Sequence, residues 1–172
     1  MNAASKWLVV GAILLLATGC AGTVARKEAP EIQATAGVLK VKSVEVRTSP
    51  KAKEQLPDNI KFDLKALGAT VERALSASAL QEEAAGNRLD VEVTNVYVRG
   101  TFGAVMFGAL AGVDNISGNV QVFDPSGRPL RSFEVSASYG FGGWGGGQDS
   151  IRINYLYEKF AELTRDQLRD QK

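Results

Sequence analysis

The sequence predicts an α+β domain in which a largely antiparallel sheet carries two helices packed on one face, in the order β-α-β-β-β-α. Three observations carry this. Four stretches alternate in the period-two manner of strands and are rich in β-branched residues. Two stretches repeat apolar residues every three or four positions, the spacing of one helix face. The helical stretches bracket the last three strands, so the strands form a meander and the helices cover it.

GVLKVKSVEVRT, Gly37 to Thr48, is the first strand, with a bend near Lys42 and Ser43 where its parity shifts. SPKAKEQLPDN, with Pro50 and Pro57, reads as a loop. Ile60, Leu64, Leu67, Val71 and Leu75 mark a helix over about 59–80, with Asp58 or Asn59 as its candidate cap. Gly68 inside it weakens the helix by roughly 1 kcal/mol and permits a strand to approach closely. RLDVEVTNVYVRG is the second strand and ISGNVQVFD the third. PSGR is a turn signal leading into PLRSFEVSASYG, so the last two strands form a hairpin. Ile153, Leu156, Phe160 and Leu163 mark the final helix, with Asp149 or Ser150 as its cap.

Ahead of the domain stands MNAASKWLVVGAILLLATGCAG. Lys6 gives a positive start, and Trp7 to Ala17 is an apolar run too short to span a bilayer as a helix. Leu16-Ala17-Thr18-Gly19-Cys20 then places small residues before the only cysteine. This resembles the lipobox of bacterial lipoproteins. The resemblance implies cleavage before Cys20, a diacylglycerol on its sulfur and a further acyl chain, such as palmitate, on its amino group. Ala21, rather than Asp, in the next position implies sorting to the outer membrane. The expected organisation is a signal peptide over 1–19, a lipidated tether over 20–36 (small polar residues with weak periodicity) and one domain over 37–172.

Composition narrows the chemistry. With 20 Lys+Arg against 19 Asp+Glu there is no broad field to draw nucleic acid. The absence of histidine removes the usual general base and the commonest metal ligand. A lone cysteine allows neither an internal disulfide nor a cysteine-rich metal site. No cofactor and no metal are expected.

Two segments stand apart. GTFGAVMFGALAGVDN carries no charge over residues 100–113 and is longer than a hairpin needs. Its Gly108-x-x-x-Gly112 lacks the long apolar context of a helix-dimer motif. It packs on the domain's own core as a short helix or ribbon, burying Met106 and Phe107, or it forms an apolar patch for a partner or membrane. GFGGWGGGQDS lies between a strand and a helix start, the setting of phosphate sites, but no Gly-Lys-Ser/Thr follows it. It reads as a connection. Phe102, Met106, Phe107, Phe141 and Trp144 are the candidate interaction residues of these two segments. Asp114, Asp124 and Asp149 sit beside Gly, Pro or Ser and read as turn residues. Arg99, Arg128 and Arg131 suggest no patch. Tyr97, Tyr139, Tyr155 and Tyr157 read as half-buried aromatics.

GALAGVDNISGNVQVFDPSGRPLRSFEVSAS combines a glycine-rich lead-in, a strand, then Asp124-Pro125-Ser126-Gly127-Arg128-Pro129-Leu130 and a second strand. Over roughly residues 37–165 it resembles a family of bacterial envelope lipoproteins of unknown function. Their α+β domain is similar to the amino-terminal domain of TolB and the periplasmic part of the curli-secretion lipoprotein. The resemblance supplies a compartment and no catalytic residue. The expected function is therefore a non-enzymatic binding or assembly module, held to the outer membrane by lipid and facing the periplasm. Its partner would be another envelope protein or further copies of itself. The alternative is a carrier of lipid or a small apolar ligand in envelope transport.

Overall fold

The computed structural model describes residues 20–26, 37–59, 61–100, 112–140 and 149–169. Its strands are β1 (Cys20–Arg26), β2 (Ser43–Thr48), β3 (Arg88–Tyr97), β4 (Asp114–Phe123) and β5 (Pro129–Tyr139). Its helices are α1 (Pro50–Gln55), α2 (Leu64–Ser76) and α3 (Asp149–Leu168). The strands form one five-stranded sheet in the order β1-β5-β4-β3-β2. Each pairing is antiparallel except that of β2 with β3. The α+β class and the largely antiparallel sheet are as the periodicities predict.

Alternation along β4 shows how the sheet divides. Ile116, Gly118, Val120 and Val122 are buried, while Asn115, Ser117, Asn119 and Gln121 between them are half-buried on the opposite face. The buried face lies under α3: a Cβ on Gly118 would stand 3.1 Å from the ring of Phe160 and 3.1 Å from the carbonyl of Glu92. Phe133, Val135, Leu156 and Phe160 continue this core, and Leu67, Val71 and Leu75 bring α2 onto it. Gly68 has the role its position suggests, since a Cβ there would meet Val46 of β2 at 3.2 Å. Tyr157 is buried with them and its hydroxyl accepts the Asp63 N–H at 2.7 Å. Burial, above all, pushes that phenol above its ordinary value.

Several boundaries differ from the expectation, for local reasons. The first long strand is shortened to Ser43–Thr48, with Val41 making only a single bridge to Gln81, because the chain bends at Lys42. α2 begins at Leu64 and is capped by Asp63, whose carboxylate accepts the N–H groups of Lys65 and Ala66. Neither Asp58 nor Asn59 caps it. Asn59 is instead buried beside β3, where its side chain takes the Val98 N–H and donates to the Val96 carbonyl. It stands in for a strand neighbour beyond the end of β2. Ile60 lies outside the described residues.

Two elements were not foreseen. The segment read as a loop contains α1, with Ser49 as its cap and Pro50 at the first turn, where a missing N–H costs nothing. The expected tether is replaced over Cys20–Arg26 by an edge strand paired with β5 in the register Cys20↔Tyr139 to Arg26↔Phe133. Gly22 lies so close beneath α3 that a Cβ would fall 2.6 Å from Leu163 Cδ1. The expected signal peptide and residues 27–36 lie outside the described residues.

Candidate functional site

One end of the sheet gathers the exit of β3, the entry of β4, the exit of β5 and the first turn of α3. A buried ionic cluster joins all four. Asp114, the first residue of β4, is fully buried, as is Arg152 of α3, and Arg99, just beyond β3, is nearly so. Asp114 Oδ1 accepts the backbone N–H of Arg99 at 2.7 Å and its Nε–H at 3.1 Å. Asp114 Oδ2 accepts Arg99 Nη2 at 3.0 Å and Arg152 Nη1 at 2.8 Å. Arg99 Nη2 also donates to the carbonyl of Tyr139 at 3.3 Å, which ties in β5. Arg152 Nη2 reaches the carbonyl of Arg99 at 2.9 Å and Asp149 Oδ1 at 2.5 Å. Lys61, half-exposed ahead of α2, closes on the other oxygen of Asp149.

The chemistry follows from the occupancy of these atoms. A carboxylate offers about four acceptor sites, and four donors fill those of Asp114. Asp114 therefore holds together the backbone and side chain of Arg99 and the side chain of Arg152. Asp149 is engaged on both oxygens. Arg152 Nε is the one guanidinium atom of this residue that makes no hydrogen bond. Desolvating such charges is costly, and the mutual pairing of three cations with two carboxylates offsets that cost. The cluster is a clamp on the strand ends.

Asp114 and Asp149 are not the turn residues their neighbours suggest, and Arg99 belongs to a buried cluster. Asp124 does serve a turn: its carboxylate accepts the N–H groups of Ser126 and Arg128 at 2.8 and 3.0 Å. The Ser126 hydroxyl above all, with the Arg128 N–H, holds it well below the usual carboxylate range. Asp114 and Asp149 are placed otherwise, paired with Arg99 and Arg152 in the interior. Arg152 was missed altogether, although it stands one helical turn before Leu156 on the buried face of α3. Of the aromatics, Tyr139 packs edge-on against Tyr155 with centroids 5.1 Å apart, and Tyr157 is buried, whereas Tyr97 is exposed.

Cys20 is the first residue of β1, opposite Tyr139. Phe102, Met106, Phe107, Phe141 and Trp144 lie outside the described residues, and so does the expected burial of Met106 and Phe107. Among the described residues no helix is long and apolar enough to cross a membrane.

No protein-family model matches the sequence, and no curated protein sequence matches it. The structure is similar to a dodecamer of a singly substituted PelC from Paraburkholderia phytofirmans, at 16% identity and a TM-score of 0.49, covering 88% of this chain and 100% of that one. A second PelC dodecamer structure from the same organism matches at 15% identity and a TM-score of 0.46, covering 83% and 96%. A minor lipoprotein from Acinetobacter baumannii matches at 14% identity and a TM-score of 0.38, covering 74% and 91%. With TM-scores of 0.49 and below, these likenesses say nothing of what this chain does.

Proposed function

We propose that this chain is a lipoprotein of the outer membrane, anchored through Cys20 and facing the periplasm, that works as a non-enzymatic binding or assembly module of the cell envelope. The observation that carries the reading is the coincidence of a charged start, a short apolar run and small residues immediately before the only cysteine. Two or more acyl chains make such an anchor stable, since each buried CH₂ contributes ~0.8 kcal/mol. The ionic cluster supports the non-enzymatic part, because its carboxylates are saturated by arginine and lysine donors.

The test is made in intact cells. The wild-type chain is expected to incorporate an alkyne-labelled palmitate and fractionate with the outer membrane, and Cys20→Ser to do neither. Cross-linking is expected to trap the acylated protein in a larger species, whose mass separates a foreign envelope partner from further copies of this chain. An unlabelled wild-type protein, or an acylated one recovered only as a free monomer, overturns the corresponding half of the reading.

A further inference from the structure

Among the described residues four large apolar side chains are exposed, and three of them stand at one end of the sheet: Tyr97 at 47%, Val113 at 42% and Ile151 at 57%. Tyr97 is the last residue of β3 and pairs with Asn115, beside the entry of β4. Val113 immediately precedes Asp114, and Ile151 stands between Asp149 and Arg152 in the first turn of α3. The charges at this end are withdrawn: Arg99, Asp114, Asp149 and Arg152 are all buried in mutual contact. Asp58 remains exposed, and Lys61, half-exposed, is held on Asp149. At the opposite end the pairing is reversed, with Arg128, Glu83, Arg88 and Glu45 open to water.

The strand register brings Cys20 to the apolar end. Cys20 lies opposite Tyr139, and Tyr139 lies opposite Asp114. Two strand spacings of ~4.8 Å put the Cys20 backbone about 10 Å from that of Asp114. Cys20 is itself a residue of β1, so no slack separates it from the sheet.

We infer that this end of the domain seats directly on the phospholipid surface that holds Cys20, with Tyr97, Val113 and Ile151 at headgroup level. The inference rests on the acylation of Cys20 proposed above. A half-exposed tyrosine, with an apolar ring and a polar tip, is at home at that depth. Burial of the four charges in the clamp spares the interface their desolvation. The domain is thus held in one orientation, and its polar sheet face and charged far end are turned to the periplasm.

Hydrogen exchange of the acylated protein in phosphatidylethanolamine–phosphatidylglycerol vesicles tests this against a variant in which a flexible Gly-Ser spacer separates the acylated cysteine from an intact copy of β1 carrying Cys20→Ser, so that the strand keeps its register with β5. A spacer of about twenty residues reaches about 25 Å on average and frees the domain from the surface. In the wild type, amides of residues 99–100, 112–113 and 149–152 are expected to exchange roughly tenfold more slowly than in the spacer variant, while the turn at 125–128 exchanges equally in both. Tyr97→Ser combined with Ile151→Ser, both exposed positions, is expected to bring the wild-type rates towards those of the spacer variant. Equal rates in the wild type and the spacer variant overturn the seating, whether both are open or both protected by another copy of the chain. The mass of the Cys20 peptide is read in the same samples. A peptide without diacylglycerol refutes the anchor itself, a failure distinct from that of the seating.

Discussion

At the turn between β4 and β5, Asp124 holds Arg128 at 2.8 Å with the arginine side chain 80% exposed. At the far end of the same strand, Asp114 holds Arg152 at the same 2.8 Å with both side chains wholly out of water. Geometry is equal, but Asp124, itself only 10% exposed, has its partner in water, whereas Asp114 has its partner in the interior. In water the charges are screened and the side chains gain little by staying together. In the interior each charge depends on its partner, because neither can recover hydration if the other is removed. The Asp124 carboxylate organises a tight turn chiefly through backbone and hydroxyl donors, and its arginine is incidental. The Asp114 carboxylate joins three separate segments of the chain, and its arginines tie together the ends of elements that the sheet and core bring close.

The largest effect should come from the interior. Arg152→Ala strands the carboxylates of Asp114 and Asp149 in a dry site and is expected to destabilise the domain by about 3–5 kcal/mol in chemical denaturation. A loss below about 1 kcal/mol would place the clamp in the same class as a surface pair. Gly127→Ala comes next. Gly127 has φ +82° in the β4–β5 turn, a region that costs an L-residue roughly 1–2 kcal/mol. It probes the backbone of the wet end without touching charge. Arg128→Ala should leave the thermal midpoint near that of the wild type, since Asp124 keeps its donors from Ser126 and the backbone. The turn should show itself in pH dependence instead. The folded-state pKa of Asp124 is depressed, so its contribution is full above the ordinary aspartate value of ~3.9 and is lost as pH falls towards the depressed value. Asp124→Asn should flatten that part of the acid limb, and Arg128→Ala should preserve it. An acid limb unchanged in Asp124→Asn would assign the acid sensitivity to other carboxylates.

The two ends also differ in how far they could be read from sequence. The turn was legible because Asp124, Gly127 and their neighbours act within a few residues of one another. The strands and longer helices were legible for the same reason: alternation in β4 and the Leu64-Leu67-Val71-Leu75 spacing are local patterns. The clamp depends on Arg99, Asp114 and Arg152 meeting across separate elements, and nothing local distinguishes Arg99 from Arg128. The one available signal was Arg152 on the buried stripe of α3. β1 was hidden by its composition. Among its described side chains CAGTVAR offers Val24 to the core, and a Cβ at Gly22 would collide with Leu163. α1 was hidden by its prolines, which mark loops in most settings and a helix start in this one.

The register of β1 also sets an order of events during synthesis. Its residues are the earliest of the described chain to be made, yet each pairs with a residue of β5 that follows more than a hundred positions later. A chain made from its amino terminus can complete β2, α2, β3 and β4 before β1 has any edge to join. Cys20 therefore has no place in the sheet until Tyr139 has emerged, and throughout that interval its backbone is open to any enzyme that must grip an extended peptide. The strand is the first of the described elements to be made and has no edge to join until β5 follows, so Cys20 is reachable before the sheet closes.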